Sequence, residues 1–212
     1  MTAWLEPGAK LPDLTLPADD GSTVRFKDLR GQPVVVYFYP RDDTPGCTRE
    51  ACAFRDRKAE LTKLGAKVFG ISTDDVKSHV KFRDKFQLNF PLLADVDHKA
   101  AEAFGAWQEK NMYGKKSMGV VRSTFVADAA GVIRKAWHKV NVDGHDAEVI
   151  AAVAELSGHA TAAAKPMTAK PAKPTKKAAA TKPSAAKVVA AKPAKKKTAK
   201  KTKPPTTVKR KR

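Results

Sequence analysis

Val34-Val35-Val36-Tyr37-Phe38-Tyr39, followed by Pro40-Arg41-Asp42-Asp43-Thr44-Pro45-Gly46-Cys47-Thr48-Arg49-Glu50-Ala51-Cys52, is the stretch whose reading decides this chain. Six consecutive apolar residues, all β-branched or aromatic, read as a strand buried on both faces. A turn containing proline and glycine ends it, and Cys47 then falls in the first turn of a helix opening at Thr44 or Pro45. Free backbone N–H groups and the positive end of the helix dipole favour a thiolate over a thiol at that place. The only other cysteine, Cys52, lies five residues on, close enough to trap whatever Cys47 becomes.

Working outward, Leu11–Leu16 and Thr23–Phe26 read as two short strands around Asp19-Asp20-Gly21-Ser22. The helix carrying both cysteines runs to about Leu64, with Gly65 past its end. Lys67–Ser72 is a second buried strand. Ser72 or Thr73 is expected to cap a helix with Asp74 and Asp75 in its first turn, ending near Phe86. A short strand at Phe90–Ala94, a helical turn or two over Asp97–Phe104, a strand at Arg122–Ala127 and another at Val132–Trp137 follow. A helix over Gly144–Leu156 closes the series, its apolar face set by Val149, Ile150, Val153 and Leu156. Strands alternating with helices, and a late hairpin, predict an α/β three-layer domain.

The net charge of +19 is unevenly placed. Of 41 Lys and Arg, 18 fall in the 53 residues from Ala160 to Arg212, which hold no Asp or Glu; the first 159 residues carry the other 23 against 22 acidic residues. The expected division is therefore a folded domain over 1–159 and a disordered Lys/Ala/Pro-rich tail over 160–212, too poor in apolar residues to offset its chain entropy. Two cysteines exclude a disulfide scaffold of the small secreted kind. With no secretory signal pattern and no apolar run of ~20 residues, the expectation is a cytoplasmic protein with reduced thiols.

Several readings compete for the cysteine pair. A zinc site lacks a second cysteine pair, and His79, His98, His138, His145 and His159 show no ligand spacing. A Cys-x-x-Cys reductase needs two intervening residues, and there are four. Inert buried thiols leave the Thr-Pro-Gly placement unexplained.

Pro40-x-x-x-Thr44-x-x-Cys47, with Glu50 and Cys52 following, resembles the active-site signature of the peroxiredoxins, and the Cys-Thr-x-Glu-x-Cys form is similar to the bacterioferritin-comigratory, or Q-type, subfamily. The resemblance continues through Tyr113-Gly-Lys-Lys, Gly119-Val-Val-Arg122-Ser-Thr-Phe, Trp137-His-Lys-Val and Gly144-His145-x-x-Glu148-Val149, and leaves the tail uncovered. It implies a thioredoxin-like fold, with a central mixed sheet flanked by helices, and a peroxidase that needs no cofactor. Cys47 would attack a hydroperoxide and become a sulfenic acid. Arg122 would stand beside the thiolate and polarise the O–O bond. Thr44 would offer its hydroxyl, Pro40 would wall the pocket, and Glu50 would orient the arginine; their ordinary readings are a cap, a strand terminator and a first-turn carboxylate. Cys52 would resolve the sulfenic acid as an intramolecular disulfide, recycled by thioredoxin, and the subfamily leans towards monomers.

Residues five apart on a regular helix have Cα atoms roughly 8.6 Å apart, whereas a disulfide needs about 4.4–6.8 Å. A Cys47–Cys52 bond therefore predicts local unwinding.

The tail is similar to those of linker histones. Lys176, Lys177, Lys195, Lys196, Lys197, Lys200, Lys201, Lys209, Arg210, Lys211 and Arg212 are candidates for sequence-independent contact with DNA or RNA phosphate. An anionic membrane surface, or no partner at all, are the rivals. This gives an alternative function, a nucleic-acid-binding protein whose folded domain is an anchor, and a compatible one, a peroxidase held near the nucleoid.

Overall fold

The computed structural model describes residues 3–112 and 115–157. The tail, including its candidate lysines and arginines, and the Tyr113–Gly114 pair lie outside the described residues.

The apolar run becomes β3 (Val34–Phe38), buried at every position, at the centre of a five-stranded sheet. Beside it lie β4 (Lys67–Ser72) and then β5 (Leu92–Ala94), both parallel; on the other side lie β8 (Ser123–Ala127) and β9 (Ile133–Trp137), antiparallel in turn. The alternation of β3 divides the core. Val35, Tyr37 and Tyr39 face Ala51, Phe54 and Leu61 of α1 (Pro45–Lys63), Phe82 of α2 (Val76–Phe86), and Val149, Ile150 and Val153 of α4 (His145–Leu156). Val34, Val36 and Phe38 face the other way, onto Leu16 of β1 (Thr15–Pro17), the 3₁₀ turn Phe26–Leu29, and Ala100 and Ala101 of α3 (Lys99–Ala103). β1 pairs with β2 (Thr23–Arg25). Among the described residues, no helix is long and apolar enough to cross a membrane.

Two expectations need correcting, and one element is additional. α2 begins at Val76 rather than after Ser72 or Thr73, and its cap is Asp75, whose carboxylate accepts from Ser78 N at 2.7 Å. Ser72 is still in the sheet, paired with Ala94, and its hydroxyl goes to Asp74 at 2.7 Å. The first strand is shorter than Leu11–Leu16 and displaced to Thr15–Pro17. A hairpin absent from the sequence reading, β6 (Trp107–Met112) with β7 (Lys115–Val120), stands apart from the central sheet.

Candidate active site

The end of β3 sets the site. Thr44 takes the extended backbone of an N-cap, Pro45 opens α1, and Cys47 lies in the first helical turn. Proline has no N–H to lose at that position, so the helix starts cleanly and points its N-terminus at the loop. Cys47 is 2 % exposed, and Cys52, one and a half turns on, is partly exposed; both are free thiols.

Arg122 reaches this point through strand register. β8 runs antiparallel to β3 with Ser123 opposite Phe38, so the residue just before β8 lies beside the loop that follows β3. Its Nη2 donates to Cys47 Sγ at 3.2 Å and its Nη1 donates to Glu50 Oε2. Gly46 makes room for it, since a Cβ there would stand 3.2 Å from Nη2. Burial works against the charge on Arg122, but Glu50 and Cys47 more than offset it and hold the guanidinium above its ordinary value.

Glu50 is not a first-turn carboxylate: it sits in the second turn, 2 % exposed, against Arg122. Burial raises it and Arg122 lowers it, leaving a carboxyl pushed up to about 7. Its Oε1 and the nearby Tyr37 hydroxyl are buried without a partner among the described residues. Thr44 departs from expectation too. Its hydroxyl donates to Arg41 O at 3.1 Å and makes no cap bond. Pro40 is half-buried at the start of the same loop.

A second buried polar group escaped the sequence reading. Asp42 accepts from Tyr39 Oη at 2.7 Å and Ser78 Oγ at 2.7 Å, and meets His79 Nδ1 at 2.9 Å. Its own N–H donates to Asp74 at 2.8 Å. Burial raises the Asp42 carboxyl, but His79, Ser78 and Tyr39 more than offset that and hold it below its ordinary value. These bonds tie the loop between β3 and α1 to α2, and only the loop end of this network, Asp42 after a strand, is visible in sequence.

A buried cysteine with a guanidinium on its sulfur, at a helix N-terminus, defines a thiol-based redox or hydrolytic class. The chain belongs to the AhpC/TSA family, whose profile matches residues 7–136. It is 51 % identical over 146 residues to a putative peroxiredoxin Bcp of Coxiella burnetii, covering 69 % of this chain and 97 % of that protein. It is 46 % identical over 153 residues to peroxiredoxin Bcp of Bacillus subtilis, covering 72 % and 98 %. Among solved structures, the bacterioferritin comigratory protein of Xanthomonas campestris matches with a TM-score of 0.68 and 40 % identity, over 72 % of this chain and 99 % of that one. The fold is thioredoxin-like, and the protein is a peroxidase of the peroxiredoxin class with the Bcp/Q-type proteins as relatives.

Proposed function

We propose that this peroxidase reduces hydrogen peroxide and organic hydroperoxides through a two-cysteine cycle begun by Cys47. The observation that carries the reading is the guanidinium of Arg122 at 3.2 Å from Cys47 Sγ, backed by Glu50. The thiolate attacks one peroxide oxygen, an S–O bond forms as the O–O bond breaks, and the other oxygen leaves as water or alcohol. Arg122 stabilises charge on sulfur and on the breaking bond, while Pro40 and the loop restrict water. In this cycle the hydroxyl of Thr44 turns from Arg41 O to the peroxide. The thiolate of Cys52 then attacks the sulfenic sulfur, releasing water and forming a disulfide. A dithiol donor, of which thioredoxin is the expected one, returns both thiols as it becomes a disulfide. The Xanthomonas relative is described by its alkyl peroxide reduction activity, which favours organic substrates here too.

Both cysteines lie on one continuous helix, Pro45–Lys63, so the disulfide requires the first turns of α1 to unwind. One equivalent of peroxide added to reduced full-length protein, followed by peptide mass mapping, is expected to give a Cys47–Cys52 bond. An over-oxidised Cys47 beside a free Cys52 would replace this with a one-cysteine cycle and an external thiol. Peroxide consumption by Cys47→Ser would overturn the reading of the nucleophile.

A second reading concerns residues 160–212, where 18 basic and no acidic residues support nucleic-acid contact. It places a monomeric cytoplasmic peroxidase near nucleic acid. Deleting the tail is expected to abolish salt-sensitive retention on DNA and leave turnover intact; loss of turnover would contradict the division.

A further inference from the structure

Peroxide cleavage leaves a hydroxide or alkoxide that must gain a proton, and the residues named so far have other engagements or hold their protons tightly. Arg122 is held charged and does not release its proton. Glu50, although its carboxyl is pushed up to about 7, meets the guanidinium through Nη1, whereas the sulfur is met through Nη2. Tyr37 is buried, and its phenol is raised well above its ordinary range, first by burial and then by Glu50 and Cys47. His145 bonds Thr124 through Nε2 at 2.8 Å.

The β6–β7 hairpin brings one more group. Lys110 on β6 is paired in the ladder with Ser117, but its side chain runs past Gly119, towards the start of β8. Measured from where a Cβ on Gly119 would be, Lys110 Cδ, Cε and Nζ lie 3.5, 3.6 and 3.8 Å away. The missing side chain thus leaves a lane in which the lysine lies flat. Its Nζ donates to the carbonyl oxygen of Val120, two residues before Arg122. The neighbouring carboxylate, Glu109, is paired with Lys116 at 3.0 Å, so the acceptor holding Lys110 among the described residues is a carbonyl. The half-buried ammonium feels both Arg122 and Cys47.

We infer that Lys110 is the proton donor to the departing oxygen of the peroxide. As Cys47 Sγ takes the near oxygen, the O–O pair collapses onto the far one, which takes a proton from Lys110 Nζ and leaves as water or alcohol; the neutral amine recovers its proton from solvent. Burial and Arg122 lower the affinity of Lys110 for its proton, against a smaller opposing pull from Cys47. An ammonium so placed releases a proton more readily than an exposed lysine.

The inference rests on Cys47 as nucleophile, which Cys47→Ser tests separately. Its own test varies the leaving group in single-turnover oxidation of Cys47, full-length protein at pH 7. Lys110→Met is expected to lose about 100-fold with hydrogen peroxide and at least as much with tert-butyl hydroperoxide. With peracetic acid, whose acetate needs no proton to depart, the loss should shrink to about threefold or less. Lys110→Arg keeps the charge without an easily released proton, and should follow Lys110→Met toward hydrogen peroxide. Equal losses across the three peroxides, or a fully active Lys110→Arg, would overturn the proton-donor role while leaving Cys47 as nucleophile untouched.

Discussion

Two buried polar clusters flank the loop between β3 and α1, and they differ in how completely they are satisfied. Around Asp42, the carboxylate receives Tyr39, Ser78 and His79, and apart from Nε2 of His79 each buried polar side-chain atom there has a partner. Around Cys47, Glu50 Oε1 and the Tyr37 hydroxyl have no partner among the described residues, and a guanidinium is divided between a sulfur and a carboxylate. A closed network fixes geometry; an open one leaves donors and charge available to a reacting molecule. The first cluster holds the loop so that the second can stay poised.

Breaking the open cluster should cost activity more than stability. Arg122→Met is expected to lower kcat/KM for peroxide by about 10²–10³-fold, the scale for removing a donor aimed at developing charge. A loss under tenfold would show that sulfur placement alone suffices. Breaking the closed cluster should do the opposite. Asp42→Ala strands Tyr39, Ser78 and His79 together and is expected to cost about 3 kcal/mol in urea unfolding, with turnover per folded molecule changing less than in Arg122→Met. A stable Asp42→Ala with abolished turnover would reverse the roles of the two clusters.

Tyr37 lies between the clusters, within electrostatic reach of Glu50, Cys47 and Asp42. A Cβ on Gly70 would stand 2.7 Å from its hydroxyl and 2.8 Å from Leu92 Cδ2. Gly70→Ala should therefore cost roughly 1–3 kcal/mol by overpacking and disturb both clusters at once.

The smallest effect is a slope. Glu50 has a folded value of about 7 against an ordinary 4.5, so between those values the folded state holds the extra proton. Its contribution is fully present below pH 4.5 and is lost as pH rises to about 7. Glu50→Gln should flatten that part of the stability–pH curve; an unchanged curve would mean that Glu50 titrates alike in both states.

The extent to which sequence revealed these parts follows from the range of the forces that fix them. Cys47 at a helix start was legible because Pro45 and Gly46 act within one turn. β3 was legible because a doubly buried strand must be apolar throughout. Arg122 was legible only through resemblance, since it is the β3–β8 ladder, and nothing local, that brings it to a sulfur 75 residues away in sequence. The cap of α2 was misplaced because Ser72, Thr73, Asp74 and Asp75 can all cap, and only the reach of the sheet to Ser72 eliminates the first. Lys110 was overlooked because Trp107-Gln-Glu-Lys-Asn-Met112 and Lys115-Lys-Ser-Met-Gly-Val120 lack the apolar alternation that announces a strand.

The pairing of Phe38 with Ser123 acts as a ruler independent of chain length. Residues added at the exposed Val96–Asp97 turn lengthen the excursion without moving a rung of that ladder, so the sulfur keeps its guanidinium. Removing one residue inside β8 is another matter. Side chains alternate across a sheet, so a single-step slip turns the ladder over and carries Arg122 away from Cys47. Tolerance to insertion and deletion in this enzyme should therefore follow distance along the rungs rather than distance along the gene.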